Sequence, residues 1–96
     1  AEAIVNGKQV ITGEVITVKI QEGYYGDTLK MLVRDDRGFK VWGTVPSALS
    51  DAAYEAETTV NGSRVTFSAT VEASEDDNKF GFYKRPTKAK LEVKGD

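Results

Sequence analysis

The segment Val10 to Glu22 is long, rich in β-branched residues, and changes the phase of its alternation partway along. Ile11 and Val15 fall on odd positions, whereas Ile16, Val18 and Ile20 fall on even ones. Valine, isoleucine and threonine suit the pleated surface of a strand, and successive strand side chains point to opposite faces. Such a strand keeps one face buried only if an extra residue enters as a β-bulge. The bulge is expected near Val15, with Gly13 close by. A long, glycine-containing, sharply bent first strand is what lets a small sheet curl round and close into a barrel.

The rest of the chain supplies four more strands and one short helix. Gln21 to Asp27, with Gly23, Tyr24, Tyr25 and Gly26, reads as a loop. Thr28 to Arg34 is the second strand, with Leu29, Met31 and Val33 on one face and Lys30, Leu32 and Arg34 on the other. Asp35-Asp36-Arg37-Gly38 is a tight hairpin connection. Phe39 to Thr44 follows, with Phe39 and Val41 expected inward and Lys40, Trp42 and Thr44 outward. Pro46 ends that strand and suits the first turn of a helix. Leu49, Ala52, Ala53 and Ala56 then have roughly helical spacing between Ser47 and Ala56. Asn61-Gly62 marks a turn. Val65, Phe67, Ala69 and Val71 alternate cleanly with Thr66, Ser68 and Thr70, the plainest strand in the chain. Ala73 to Asn78 is an acidic loop, and Lys79 to Val93 is a last strand in which Pro86 calls for an edge or a bulge.

A length of 96 residues makes one all-β domain, 1–96, with flexible ends expected at 1–9 and 94–96. Hydrophobic residues make up 40% of the chain, enough for a core. No apolar run is long enough to span a bilayer, and no secretory leader opens the chain, which points to an intracellular, cytoplasmic protein with no membrane partner. The first residue, Ala1, is not a methionine, which suggests processing or a fragment of something longer. Cysteine and histidine are both absent. Disulfides, thiolate or imidazole metal sites and nucleophile–histidine pairs are thereby excluded. No phosphate-cradling glycine loop opens a helix, so nucleotide hydrolysis has no support, and without histidine or cysteine the chain is expected to be neither an enzyme nor a cofactor carrier. The acidic run Glu75-Asp76-Asp77 lacks the spaced ligands of a calcium loop and reads as solvated.

Three strands, a short helix and two strands, led by a bent first strand, resemble the OB-fold family. The resemblance covers roughly Val10 to Leu91. Phe39-Lys40-Val41-Trp42-Gly43-Thr44-Val45-Pro46 and Phe80-Gly81-Phe82-Tyr83-Lys84-Arg85-Pro86 also look like OB-type segments of phage and bacterial DNA-metabolism proteins. The rival architecture is an SH3-like barrel, which usually lacks a helix at this place.

The resemblance implies a ligand face on the outside of the second and third strands, flanked by the loops between strands one and two and strands four and five. That face carries Lys30, Arg34, Lys40 and Trp42, with Tyr24 and Tyr25 in the first loop. Phe80 and Phe82 are expected in the core, which puts Tyr83 and Arg85 outward. Cations track phosphates and aromatic rings stack on bases. These eight residues therefore form the expected site of a non-enzymatic module for single-stranded DNA or RNA, as in replication or repair. Taken singly, each has a plainer reading: Trp42 as core, the cations as cross-strand partners of acids. The net charge of −2 favours an alternative, a protein-interaction or oligomerisation domain using the barrel surface.

Overall fold

The computed structural model describes residues 2–92, so Val93 and the expected flexible end at 94–96 lie outside the described residues. The elements run β1 (Gly7–Gly23), β2 (Gly26–Asp35), β3 (Lys40–Thr44), α1 (Ser47–Glu55), β4 (Arg64–Ala73) and β5 (Phe80–Glu92). The strands close into a barrel in the order β1-β2-β3-β5-β4. Every pairing is antiparallel except the short parallel one between β3 and β5.

β1 does what its change of phase requires. Its first part pairs with β4 from Gly7 to Glu14, and from Gly13 onward it pairs with β2. The register slips between Val15 and Thr17, which leaves Ile16 as the extra residue of a bulge. Ile11 and Val15 are therefore buried ahead of the bulge, and Val18 packs against the core after it. At the bend, a Cβ on Gly13 would lie 1.9 Å from the Arg34 carbonyl oxygen, so only glycine lets the two strands approach this closely. The turn into β4 closes over the bulge, with Gly62 N donating to Val15 O and Val15 N donating to Ser63 O, both at 2.9 Å.

Met31 and Val33 of β2, Val41 of β3 and Val65, Phe67, Ala69 and Val71 of β4 all face the barrel interior, with Phe39 just ahead of β3. Leu49 and Ala53, one turn apart on α1, are buried at one end of that core. Pro46 is the N-cap, one step ahead of the first turn where the sequence placed it. Between β2 and β3, the buried Asp35 carboxylate accepts hydrogen bonds from Thr12 N at 3.1 Å, Arg37 N at 2.9 Å and Arg37 Nε at 2.8 Å. One carboxylate thus ties the hairpin turn to β1.

Three expectations change. The opening segment is not loose through residue 9: β1 begins at Gly7, Ile4 is buried, and Ile4 N donates to Asn78 O at 2.7 Å. The apolar Ile4 side chain covers one end of the core and draws its neighbours with it. The expected loop Gln21 to Asp27 is a two-stranded ribbon. β1 and β2 stay paired to Gly23↔Gly26, so only Tyr24 and Tyr25 form the turn, and Leu29 on this ribbon is 40% exposed.

The third change is in β5, which faces the other way. Gly81 and Tyr83 are buried, whereas Phe82 is 45% exposed. Two backbones decide this. A Cβ on Gly81 would lie 2.5 Å from the Glu72 carbonyl oxygen, and one on Gly43 would lie 2.7 Å from the Tyr83 ring. Gly43 makes room for the Tyr83 ring inside, Gly81 lets β5 lie close against Glu72 of β4, and the alternation then turns Phe82 out.

Candidate nucleic-acid interface

Strand register sets the residues of the outer face in rows. Leu32 pairs with Trp42, and Trp42 with Phe82, so these three apolar side chains cross β2, β3 and β5 in one line. On one side of this line stand Lys30 and Thr44, which are partners, with Lys84 two residues beyond Phe82. On the other side, Arg34 pairs with Lys40, and Lys40 with Phe80. Phe80 and Phe82 meet edge to face with centroids 5.4 Å apart. Glu14 opposite Arg34 and Glu72 opposite Phe82 mark the ends of the face.

β3 and β5 pair only from Lys40↔Phe80 to Trp42↔Phe82. Beyond that point the strands part and leave a hollow of about 370 Å³, lined by Lys30, Trp42, Thr44, Phe82, Lys84 and Arg85. Tyr83 forms its floor, and its hydroxyl donates to the Thr44 carbonyl at 2.6 Å across the gap. Burial raises the Tyr83 phenol pKa well above its ordinary value, so it stays a neutral donor. Lys30 Nζ donates to Thr44 Oγ1 at 2.9 Å.

None of Lys30, Arg34, Lys40, Lys84 and Arg85 forms an ion pair among the described residues. Arg34 faces Lys40, and Lys19 faces Lys30, as direct cross-strand partners. Like charges placed opposite each other weaken a sheet, a cost that Glu14 on the other side of Arg34 offsets in part. Arg85 adds a further local cost. It has a φ of 54°, a left-handed conformation worth about 1–2 kcal/mol in a residue with a side chain. It sits beside Pro86 where the β4–β5 register slips between Ser68↔Thr87 and Thr70↔Lys84, so Pro86 occupies a bulge. From there Arg85 lines both the main hollow and a second one of about 260 Å³ with Lys8, Thr70 and Thr87.

Of the eight expected residues, the structure brings Lys30, Arg34, Lys40, Trp42 and Arg85 onto this face or its rim. Tyr83 underlies it and offers no ring face to a ligand. Tyr24 and Tyr25 stand apart at the ribbon tip, 93% and 98% exposed, with ring centroids 5.0 Å apart. The tip lies about 17 Å beyond Lys30, at roughly 3.4 Å per residue along a strand. Phe82 and Lys84 belong to the face but escaped the sequence reading, because only the parallel register with β3 brings them beside Trp42. The acidic loop is a turn that uses its own carboxylate: Asp77 Oδ1 accepts from Lys79 N at 2.9 Å. No group of acids suited to hold a metal ion occurs among the described residues.

These elements make the protein a five-stranded OB-fold barrel with an open aromatic and cationic face. Set against protein-family models, curated proteins and solved structures, the chain gives no match.

Proposed function

We propose that this domain binds single-stranded nucleic acid, DNA or RNA, with little sequence preference, and does so without catalysis. The observation that carries this reading is the apolar row Leu32–Trp42–Phe82 bordered on both sides by cations that form no ion pairs among the described residues. A single strand presents flat bases and a charged backbone together. Exposed rings accept any base by stacking, at about 1–3 kcal/mol each, and lysines follow the phosphates. The parting of β3 and β5 beside Trp42 leaves room for a base or a sugar. We place such a module, as part of the same proposal, inside a larger replication or repair protein.

Trp42 is the only tryptophan and lies half-buried in the row, so its fluorescence reports occupancy directly. Oligothymidine is expected to quench it. The logarithm of the binding constant should fall with the logarithm of salt at about −0.7 for each phosphate contacted. Absence of binding at low salt, or binding indifferent to salt, overturns the proposal.

A further inference from the structure

A second surface, independent of the cationic face, is formed where α1 meets the base of the β1–β2 ribbon. Here a hollow of about 310 Å³ is lined chiefly by apolar side chains, including Val18, Leu29, Ala53, Tyr54 and Val60. Large apolar groups around it remain in water: Tyr54 is 85% exposed, Ile20 66% and Leu29 40%. Ile20 pairs with Leu29, and Val18 with Met31, so these side chains share one face of the ribbon. A contiguous exposed apolar patch with a polar border marks an interaction site.

The border decides what fits. Glu22 and Asp27, the next pair along the same ribbon face, stand directly opposite each other. Asp51 and Glu55 flank Tyr54 on α1, and Glu57 follows the helix, all exposed. None of these five acids forms an ion pair among the described residues. Lys19 and Lys30 are partners on the opposite face of the ribbon and do not offset them. A nucleic acid or an anionic membrane is repelled by this border. A second copy docking the same face would set acid against acid.

We infer that this hollow docks a protein segment that carries apolar anchors flanked by lysine or arginine. The apolar groups enter the hollow while the flanking cations meet Glu22, Asp27, Asp51, Glu55 and Glu57. The barrel then holds a nucleic acid on one side and a basic partner segment on the other.

A display library of random twelve-residue peptides, selected on the whole 96-residue chain, tests this. Enriched peptides should pair two or three large apolar residues with lysine or arginine. A synthetic enriched peptide should lose tenfold or more in affinity on Tyr54→Ser, a change confined to an exposed side chain. It should lose a similar factor, together with its salt dependence, on combining Glu22→Gln, Asp27→Asn and Asp51→Asn. Binding of a short oligothymidine that fills only the barrel face should stay unchanged on Tyr54→Ser, which alters no charge. Three results overturn the inference: no enrichment, enrichment of acidic peptides displaced by oligothymidine, or concentration-dependent self-association abolished by Tyr54→Ser. The last would assign the hollow to a second copy.

Discussion

The ring of Tyr83 lies on the bare backbone of Gly43, where a Cβ would stand 2.7 Å from the ring carbon that bears the hydroxyl. That seat lets the hydroxyl reach the Thr44 carbonyl at 2.6 Å. The contact holds β5 against β3 just past the end of their shared ladder, so the same pair braces the barrel and shapes the hollow on its outer face.

Gly43→Ala should accordingly lower stability in urea unfolding by about 1–3 kcal/mol, the usual cost of overpacking a tight core. Tyr83→Phe keeps the ring and loses only the hydrogen bond, and should cost about 0.5–1.5 kcal/mol. A Gly43→Ala variant as stable as its parent would show that the ring has another place to rest.

Alkaline pH should weaken the fold through the same tyrosine. Burial raises the folded pKa of Tyr83 above its unfolded value near 10. Its contribution is therefore complete below about pH 10 and is lost as pH rises toward the folded value, by up to about 1.4 kcal/mol per pH unit. Unfolding free energies at pH 8 and pH 11 should differ more in the parent than in Tyr83→Phe. Equal differences would mean that Tyr83 titrates alike in both states.

Phe82 and Tyr83 are neighbours with opposite duties. Phe82→Ala should weaken oligothymidine binding by about 1–3 kcal/mol while leaving the urea midpoint nearly unchanged. Tyr83→Ala should cost roughly 3–5 kcal/mol of stability, as truncation of a buried aromatic does. Fluorescence titration and urea unfolding of both variants separate the two effects. The reverse pattern would mean that β5 faces the other way.

Replacing Tyr24 and Tyr25 together with serine should leave the melting temperature unchanged, because both rings are in solvent. Short oligothymidines that fill only the barrel face should bind as before, and longer ones should bind more weakly. Equal loss at every length would bring the ribbon tip down onto the face.

Asp35→Ala should cost about 1.5–3 kcal/mol, the range for hydrogen bonds to a charged group. It leaves Thr12 N and Arg37 N without their acceptor and frees the turn from β1. Hydrogen exchange at Thr12 and Arg37 should quicken more than at Val65, which lies deeper in the barrel.

Local alternation was enough to place β2, β3 and β4 and to sort their inward and outward residues apart from Leu29, which lies out on the ribbon, since the period of a strand is two and each strand has one buried face. The phase change between Val15 and Ile16 announced the bulge, and Pro86 announced another, because both are properties of the chain itself. Pro46 and the spacing of Leu49 and Ala53 marked the helix. Lys30, Arg34, Lys40 and Trp42 were legible as one face for the same reason. The orientation of β5 was not, since Phe80, Phe82 and Tyr83 all favour burial and hydrophobicity alone does not rank them. What ranked them was space for the Tyr83 ring, supplied by Gly43 from a distant part of the chain. The ribbon escaped for a similar reason: Gly23-Tyr24-Tyr25-Gly26 reads as a loop until the pairing of Lys19 with Lys30 and Ile20 with Leu29 carries both strands out to the turn. Sequence determined which residues prefer a pleated, half-buried surface. Tertiary structure decided which of them found room inside and which rings were left facing solvent beside the cations.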